Sequence, residues 1–148
     1  MTAGVALDTN VLLYPILERR SPKGETAAQI IKTCSRSAIV AAQTLLEYLA
    51  VVRRHRPDHL DRAIEETELW ARIMTVAPTN AEVIAQASRL IRDHRFQVWD
   101  AVIWAASRAA GARFLLSEDM QDGLELGGLT VINPFDRDVA ELLGLIGR

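Results

Sequence analysis

Four carboxylates in this 148-residue chain do not sit where a solvated surface would put them. Asp8 directly follows the apolar run Val5-Ala6-Leu7. Asp119 follows Phe114-Leu115-Leu116 after the step Ser117-Glu118. Glu47 lies beside Tyr48-Leu49 and Ala50-Val51-Val52, and Asp100 lies between Val98-Trp99 and Ala101-Val102-Ile103-Trp104. Asp122, three residues after Asp119, is a fifth candidate. Others of the 19 acids, such as Glu65, Glu66, Glu68, Glu82 and Glu141, fall on faces expected to meet water. Singly, each of the four has a bland reading. An Asp after a strand makes an Asx turn or caps the next helix. Asp100 suits the positive end of a helix. Glu47 is the hardest to explain this way, because a carboxylate among apolar neighbours is costly to desolvate unless paired.

Jointly, the four point to one chemistry. Carboxylates gathered on one rim raise one another's pKa and destabilise the fold, and a cation is the usual relief. Lys23 and Lys32 are the chain's two lysines and neither lies in these segments; Arg53 and Arg113 are not placed to neutralise all four acids. Oxygen donors with no His or Cys among them suit Mg2+ or Mn2+ rather than zinc. Such a site can make a nucleophile of water and stabilise an in-line phosphoryl displacement. Other reactive residues fit less well. His55 and His59 have the spacing of a helical metal pair, but Pro57 between them breaks the helix, so they read as loop residues. His94 sits in the charged segment Arg92-Asp93-His94-Arg95 and reads as solvated. Cys34 falls on an apolar stripe and reads as a small buried hydrophobe. Trp70, Trp99 and Trp104 read as core or dimer contacts. Gly127-Gly128 is a turn, and no phosphate-binding glycine loop occurs.

The elements that must position these acids alternate between short apolar runs and longer stretches of helical period. Strands are expected at Val5–Leu7, Ala38–Val40, Thr75–Ala77, Arg113–Leu116 and Leu129–Ile132. Helices are expected at Pro22–Cys34 behind a Ser21 cap, at Gln43–His55, at Asp58–Met74, from a Thr79 or Asn80 cap to about Arg95, at Val98–Ala110 before Gly111, and at Val139–Ile146. Pro15 requires any helix after Asp8 to be short or to hold it in the first turn. This alternation implies an α/β fold: a doubly wound parallel sheet of about five strands with helices on both faces. Ligands of such sheets bind beyond the carboxyl ends of the strands, and Asp8 and Asp119 both belong there.

Length and composition agree with one domain spanning 1–148. Hydrophobic residues make up 49% and charged residues 24%, which argues against wholesale disorder. No apolar run approaches the ~20 residues of a membrane-spanning helix, so no membrane partner is expected. One cysteine and an N-terminus without a basic leader and apolar stretch give a cytoplasmic expectation. The net charge of −2 is unlike a general polyanion binder. Phosphate contact would have to come from local groups, with Arg53, Arg54 and Arg56 or Arg92 and Arg95 as candidates. Solvated arginines at helix ends explain the same residues equally well.

The motifs Ala6-Leu7-Asp8-Thr9-Asn10-Val11-Leu12-Leu13-Tyr14, Thr44-Leu45-Leu46-Glu47, Trp99-Asp100-Ala101-Val102-Ile103, Leu115-Leu116-Ser117-Glu118-Asp119-Met120-Gln121-Asp122-Gly123 and Val131-Ile132-Asn133-Pro134-Phe135 span nearly the whole chain. In order and spacing the chain resembles PIN-domain ribonucleases, most closely the VapC-type toxins of bacterial toxin–antitoxin pairs. That resemblance implies a Mg2+- or Mn2+-dependent endoribonuclease acting on RNA. It implies that Asp8, Glu47, Asp100 and Asp119 form the metal site, with Thr9 or Asn10 and Ser117 as polar supports. It also implies a homodimer and a cognate antitoxin whose tail covers the acidic groove.

Three rivals remain. An aspartyl-nucleophile phosphatase wants a second Asp two residues after the first, where this chain has Asn10. A phosphoacceptor receiver module wants paired acids near the first strand and a late lysine, and has neither. A PIN-like domain kept only for binding a partner is the third, and retention of all four acids argues against it.

Overall fold

The computed structural model describes residues 4–146. In chain order the elements are β1 (Val5–Leu7), α1 (Thr9–Leu17), α2 (Pro22–Cys34), β2 (Ala38–Ala41), α3 (Ala42–His55), a 3-10 turn (Pro57–His59), α4 (Leu60–Ile73), β3 (Thr75–Ala77), α5 (Ala81–His94), α6 (Val98–Ala109), β4 (Phe114–Leu116), β5 (Glu125–Leu126), β6 (Leu129–Ile132) and α7 (Val139–Ile146). The sheet order is β3-β2-β1-β4-β6-β5. The pairs β1–β2, β1–β4, β2–β3 and β4–β6 are parallel, and β5–β6 is antiparallel. The expected doubly wound α/β sheet is therefore present. Its sixth strand is the two-residue β5, joined to β6 through Gly127-Gly128, where the sequence reads only a turn.

Alternation along the strands feeds two cores. Val5, Leu7, Val40 and Leu116 face one side, where Ile30, Tyr48, Trp70 and Leu142 from α2, α3, α4 and α7 pack against them. Ala6, Ile39, Leu115 and Val131 face the other, against Val83 of α5 and Ile103 and Trp104 of α6. Side chains two apart share a face, so helices on both sides follow directly. The small residues Ala6, Ala41, Ala77, Ala101 and Ala105 are fully buried on the second face and let α6 approach the sheet closely.

Local chemistry sets the helix starts. Asp8 Oδ1 accepts from Thr9 N at 2.7 Å, Ser21 Oγ from Gly24 N at 3.1 Å, and Asn80 Oδ1 from Val83 N at 2.9 Å. Pro15 lies near the end of α1 rather than in its first turn; its missing N–H leaves the Val11 carbonyl without a helical donor, and α1 stops two residues later, at Leu17. The helix expected from Asp58 begins instead at Leu60, because Pro57 opens a separate 3-10 turn. His55 closes α3 rather than lying in a loop, while His59 ends that turn within 3.6 Å of Asp58. Cys34, Trp70 and Trp104 are buried as expected, whereas Trp99 is 57% exposed. Among the described residues no helix is long and apolar enough to cross a membrane.

Candidate active site

After β1 the chain winds outward to β2 and β3, then returns to lay β4 on the other side of β1. The direction of winding reverses between β1 and β4, where a crevice opens beyond the carboxyl ends of the strands. Asp8 and the Ser117-Glu118-Asp119 segment leave those two strands side by side, and Asp8 N donates to Leu116 O at 3.0 Å. α3 brings Glu47 on its second turn and α6 brings Asp100 on its first.

Asp8 is only 4% exposed, and both carboxylate oxygens are occupied. Oδ1 caps α1 through Thr9 N, and Oδ2 accepts from Ser117 Oγ at 2.7 Å. Burial pushes the Asp8 carboxyl up to about 6. The Ser117 and Thr9 hydrogen bonds oppose that rise, and the Asp100 and Asp119 carboxylates reinforce it. Burial also raises the Asp100 pKa, followed by the charges of Asp119 and Glu47. Thr9 Oγ1 donates to Glu47 Oε2 at 2.8 Å, and Gln43 Nε2 donates to Oε1 at 3.4 Å. The charges of Asp100 and Asp119 thus reach Asp8, and those of Asp119 and Glu47 reach Asp100. None of the four forms an ion pair with a basic side chain among the described residues.

Asp122 is engaged elsewhere. It accepts from Asn133 N at 2.8 Å and pairs with Arg137 at 3.0 Å, which pins the loop after β4 to the chain beyond β6. Asn10 is buried beside Asp8, and neither its Oδ1 nor its Nδ2 has a hydrogen-bond partner; Thr44 Oγ1, one turn before Glu47, is also unpaired. Arg56 is paired with Asp58 at 3.2 Å and Arg92 with Asp93 at 2.7 Å, while Arg53, Arg54 and Arg95 form no ion pair among the described residues.

A second cluster beside the acids had no signal in the sequence. Tyr14 Oη donates to Glu118 Oε1 at 2.5 Å, and Lys23 Nζ sits 2.8 Å from Glu118 Oε2 and 5.4 Å from the centre of the Tyr14 ring. Burial works against the ionised Glu118, yet Lys23 and Tyr14 together hold its carboxyl below the usual range. Glu118 immediately precedes Asp119, so α1 and α2 both grip the segment that presents that acid.

The site is an all-oxygen donor set with no basic partner, which fits a hard divalent cation. Among the described residues no three acidic, imidazole or thiol groups are already closed around a metal-sized point.

The PIN domain model matches residues 5–121. The chain belongs to the PIN-domain family. Among solved PIN-like structures, the Mycobacterium tuberculosis toxin VapC20, described as cleaving the sarcin-ricin loop, superposes with a TM-score of 0.65 at 16% identity, over 78% of this chain and 90% of its own. A toxin–antitoxin complex from Klebsiella pneumoniae gives 0.66 at 16% identity, over 88% and 98%. FitAcB from Neisseria gonorrhoeae gives 0.62 at 18% identity, over 88% and 98%. At these identities the likeness is one of fold. No curated protein sequence matches the chain.

Proposed function

We propose that this PIN domain is a Mg2+- or Mn2+-dependent endoribonuclease and the toxin half of a toxin–antitoxin pair. The observation that carries the reading is the crevice between β1 and β4, where buried Asp8 is pushed up to about 6, the charges of Asp100 and Asp119 adding to that rise, and none of these acids has a basic partner among the described residues. Asp8, Asp100, Asp119 and Glu47 would hold the ion. Bound there, it would supply Lewis-acid polarisation of the scissile phosphate and of a water molecule.

The chain's own groups do the rest. Ser117 and the Thr9 amide fix both oxygens of Asp8, so that carboxylate cannot swing away. Thr9 and Gln43 hold Glu47 from two sides, which suits it to orient water rather than to wander. Asn10, two residues after Asp8, keeps both amide atoms buried and unpaired. In the hydrolysis, water oxygen bonds to phosphorus in line with the departing 3′-oxygen and the P–O3′ bond breaks. One product carries a 5′-phosphate and the other a 3′-hydroxyl; Glu47 would take the water's proton, and the departing 3′-oxygen would take one from solvent.

The antitoxin assignment rests on the toxins and toxin–antitoxin complexes that share the fold, together with an apolar rim at the acids. Leu46, next to Glu47, is 62% exposed, and Val98 and Trp99, next to Asp100, are 53% and 57% exposed. Such a rim suits a protein segment laid over the groove or a second copy of the chain in a homodimer. The alternative is a PIN domain that binds its partner without cleaving RNA. One experiment separates the two: incubation with RNA in Mn2+ or in chelator, for the wild type and for Asp8→Asn. Chelator-sensitive cuts that disappear in a folded Asp8→Asn variant support the nuclease. Undiminished cuts by that variant remove the site assignment, and no cuts by the wild type favour the binding module. A phosphomonoester in parallel tests the aspartyl-type phosphatase.

A further inference from the structure

α5 buries Val83 and Ala87 against the sheet, and flanking that face runs a mostly polar row: Gln86, Arg89, Leu90, Asp93 and His94. The five residues line one wall of a hollow of about 320 Å³, with Trp104 and Arg108 of α6 and the turn at Gly127 on the other side. A second hollow shares Gln86, Arg108 and Gly127 and continues past Arg113.

Arg108 is held in place rather than loose. Its Nε donates to Gly127 O at 2.8 Å. Gly127 has φ +59, and a Cβ added there would lie 2.5 Å from the Arg108 Nε. The bare glycine therefore lets the guanidinium dock, while its two Nη groups have no acceptor among the described residues. Arg89 likewise forms no ion pair there. The nearby acids are already engaged. Asp93 binds Arg92 through both oxygens, at 2.7 and 3.0 Å, and Glu82 accepts from Gln86 at 3.4 Å. Asp93 also lines the hollow and feels the charge of Arg89, four residues before it, whereas the Arg108 Nη groups meet no acid among the described residues.

The chemistry that fits is a phosphate group. An anchored guanidinium with free Nη donors matches phosphate oxygens in a two-point contact. Trp104 offers no stacking face, because it is 1% exposed and lies edge-on to Phe96. Contact is therefore to backbone and not to bases. Asp100, Trp104 and Arg108 follow one another at i, i+4 and i+8 along α6, so the pocket lies about 12 Å along the helix from the acids. Resting on the nuclease reading, we propose that Arg108 and Arg89 form a subsite for a backbone phosphate of the RNA strand whose scissile bond lies at Asp100.

The test is binding of a labelled single-stranded RNA to the cleavage-silent Asp8→Asn protein across a salt series, with Arg108→Gln, Arg89→Gln and Gly127→Ala added singly. Each lost phosphate contact should weaken binding about five- to tenfold and lower the salt slope by about 0.7. Gly127→Ala keeps every charge but displaces the guanidinium, and should weaken binding in the same direction. The exposed Arg72→Gln on α4 should change neither quantity beyond a general charge effect. Unchanged affinity and slope in folded Arg108→Gln and Arg89→Gln overturn the subsite while the nuclease reading stands. If phosphate or AMP binds in an Arg108-dependent way but RNA affinity does not depend on Arg108, the site takes a free anion and the RNA assignment is overturned. If the Asp8→Asn parent binds no RNA, with or without Mn2+, the subsite and the nuclease reading fall together.

Discussion

Ser117 Oγ donates to Asp8 Oδ2 at 2.7 Å, a contact between residues 109 apart in sequence that closes the crevice between β1 and β4. The same hydroxyl accepts from Met120 N at 3.3 Å, so one fully buried oxygen ties the first acid to the segment bearing the last. Ser117→Ala removes both bonds and leaves Asp8 Oδ2 buried without a donor. Stability should fall by about 1–3 kcal/mol, the penalty for an unsatisfied buried polar group. Because the Ser117 bond favours the ionised Asp8, its loss should also move the pH midpoint of Mn2+ binding upward. Urea titration reads the first effect and calorimetry at several pH values the second.

The raised Asp8 pKa makes stability depend on pH with a definite sign. The folded carboxyl titrates near 6 and the unfolded one at its ordinary 3.8. The folded state therefore holds the proton more tightly. The resulting stability is fully present below 3.8 and is lost as pH rises through 6, amounting to roughly 3 kcal/mol. Without divalent ions, the thermal midpoint should fall as pH rises through this window. Asp8→Asn should flatten that decline, and Mn2+ should restore stability at the upper end. A profile equally steep in Asp8→Asn would show that another group is responsible.

Asp8 stood out because it ends a buried apolar run and is itself buried; Glu47 and Asp100 are half-buried beside apolar neighbours, and exposed Asp119 was marked only by its place after β4. The strand ends were legible from their apolar runs, and parallel winding put Asp8 and the Ser117–Asp119 segment beyond the carboxyl ends of β1 and β4. Glu118 was not. It stands between Ser117 and Asp119 and reads as an ordinary surface acid, and its partner Tyr14 lies 104 residues away, a pairing that no periodicity encodes. Asp122 was misleading through proximity alone, since three residues of turn were enough to point it at Arg137. β5 escaped because two residues carry no alternation. The pocket at Arg108 escaped because its cations come from α5, α6 and a strand edge, each unremarked on its own.

Gly24 tests how tightly α2 is set against α1. A Cβ there would run into the Glu18 carbonyl and lie 3.1 Å from Tyr14 O. The obstacle is backbone, which cannot rotate aside as a side chain does. Gly24→Ala should therefore destabilise by about 3 kcal/mol, despite alanine's better helix propensity. In a domain of this size that is a drop of roughly 10 °C in thermal midpoint. A rise in midpoint would mean that the corner between α1 and α2 relaxes freely.

Tyr14 should affect the acids through Glu118 without touching them. Its hydroxyl and the Lys23 ammonium hold the two oxygens of one carboxylate, and Tyr14 also packs edge-on to Phe135 at 5.0 Å. Tyr14→Phe keeps that packing and deletes the hydrogen bond alone. The loss of a bond to a charged acceptor should lower stability by about 1.5 kcal/mol. The consequence for the site is separate: with one grip released, the Ser117–Asp119 segment samples more positions, and Mn2+ affinity should fall several-fold. Glu118→Ala releases both grips and should weaken Mn2+ binding further, and adding Tyr14→Phe to it should then change little. That lack of additivity is the diagnostic, since residues acting through a shared partner do not add. If Tyr14→Phe and Glu118→Ala lower Mn2+ affinity independently, or leave it untouched while the wild type binds the ion, the clamp serves stability and not the presentation of Asp119.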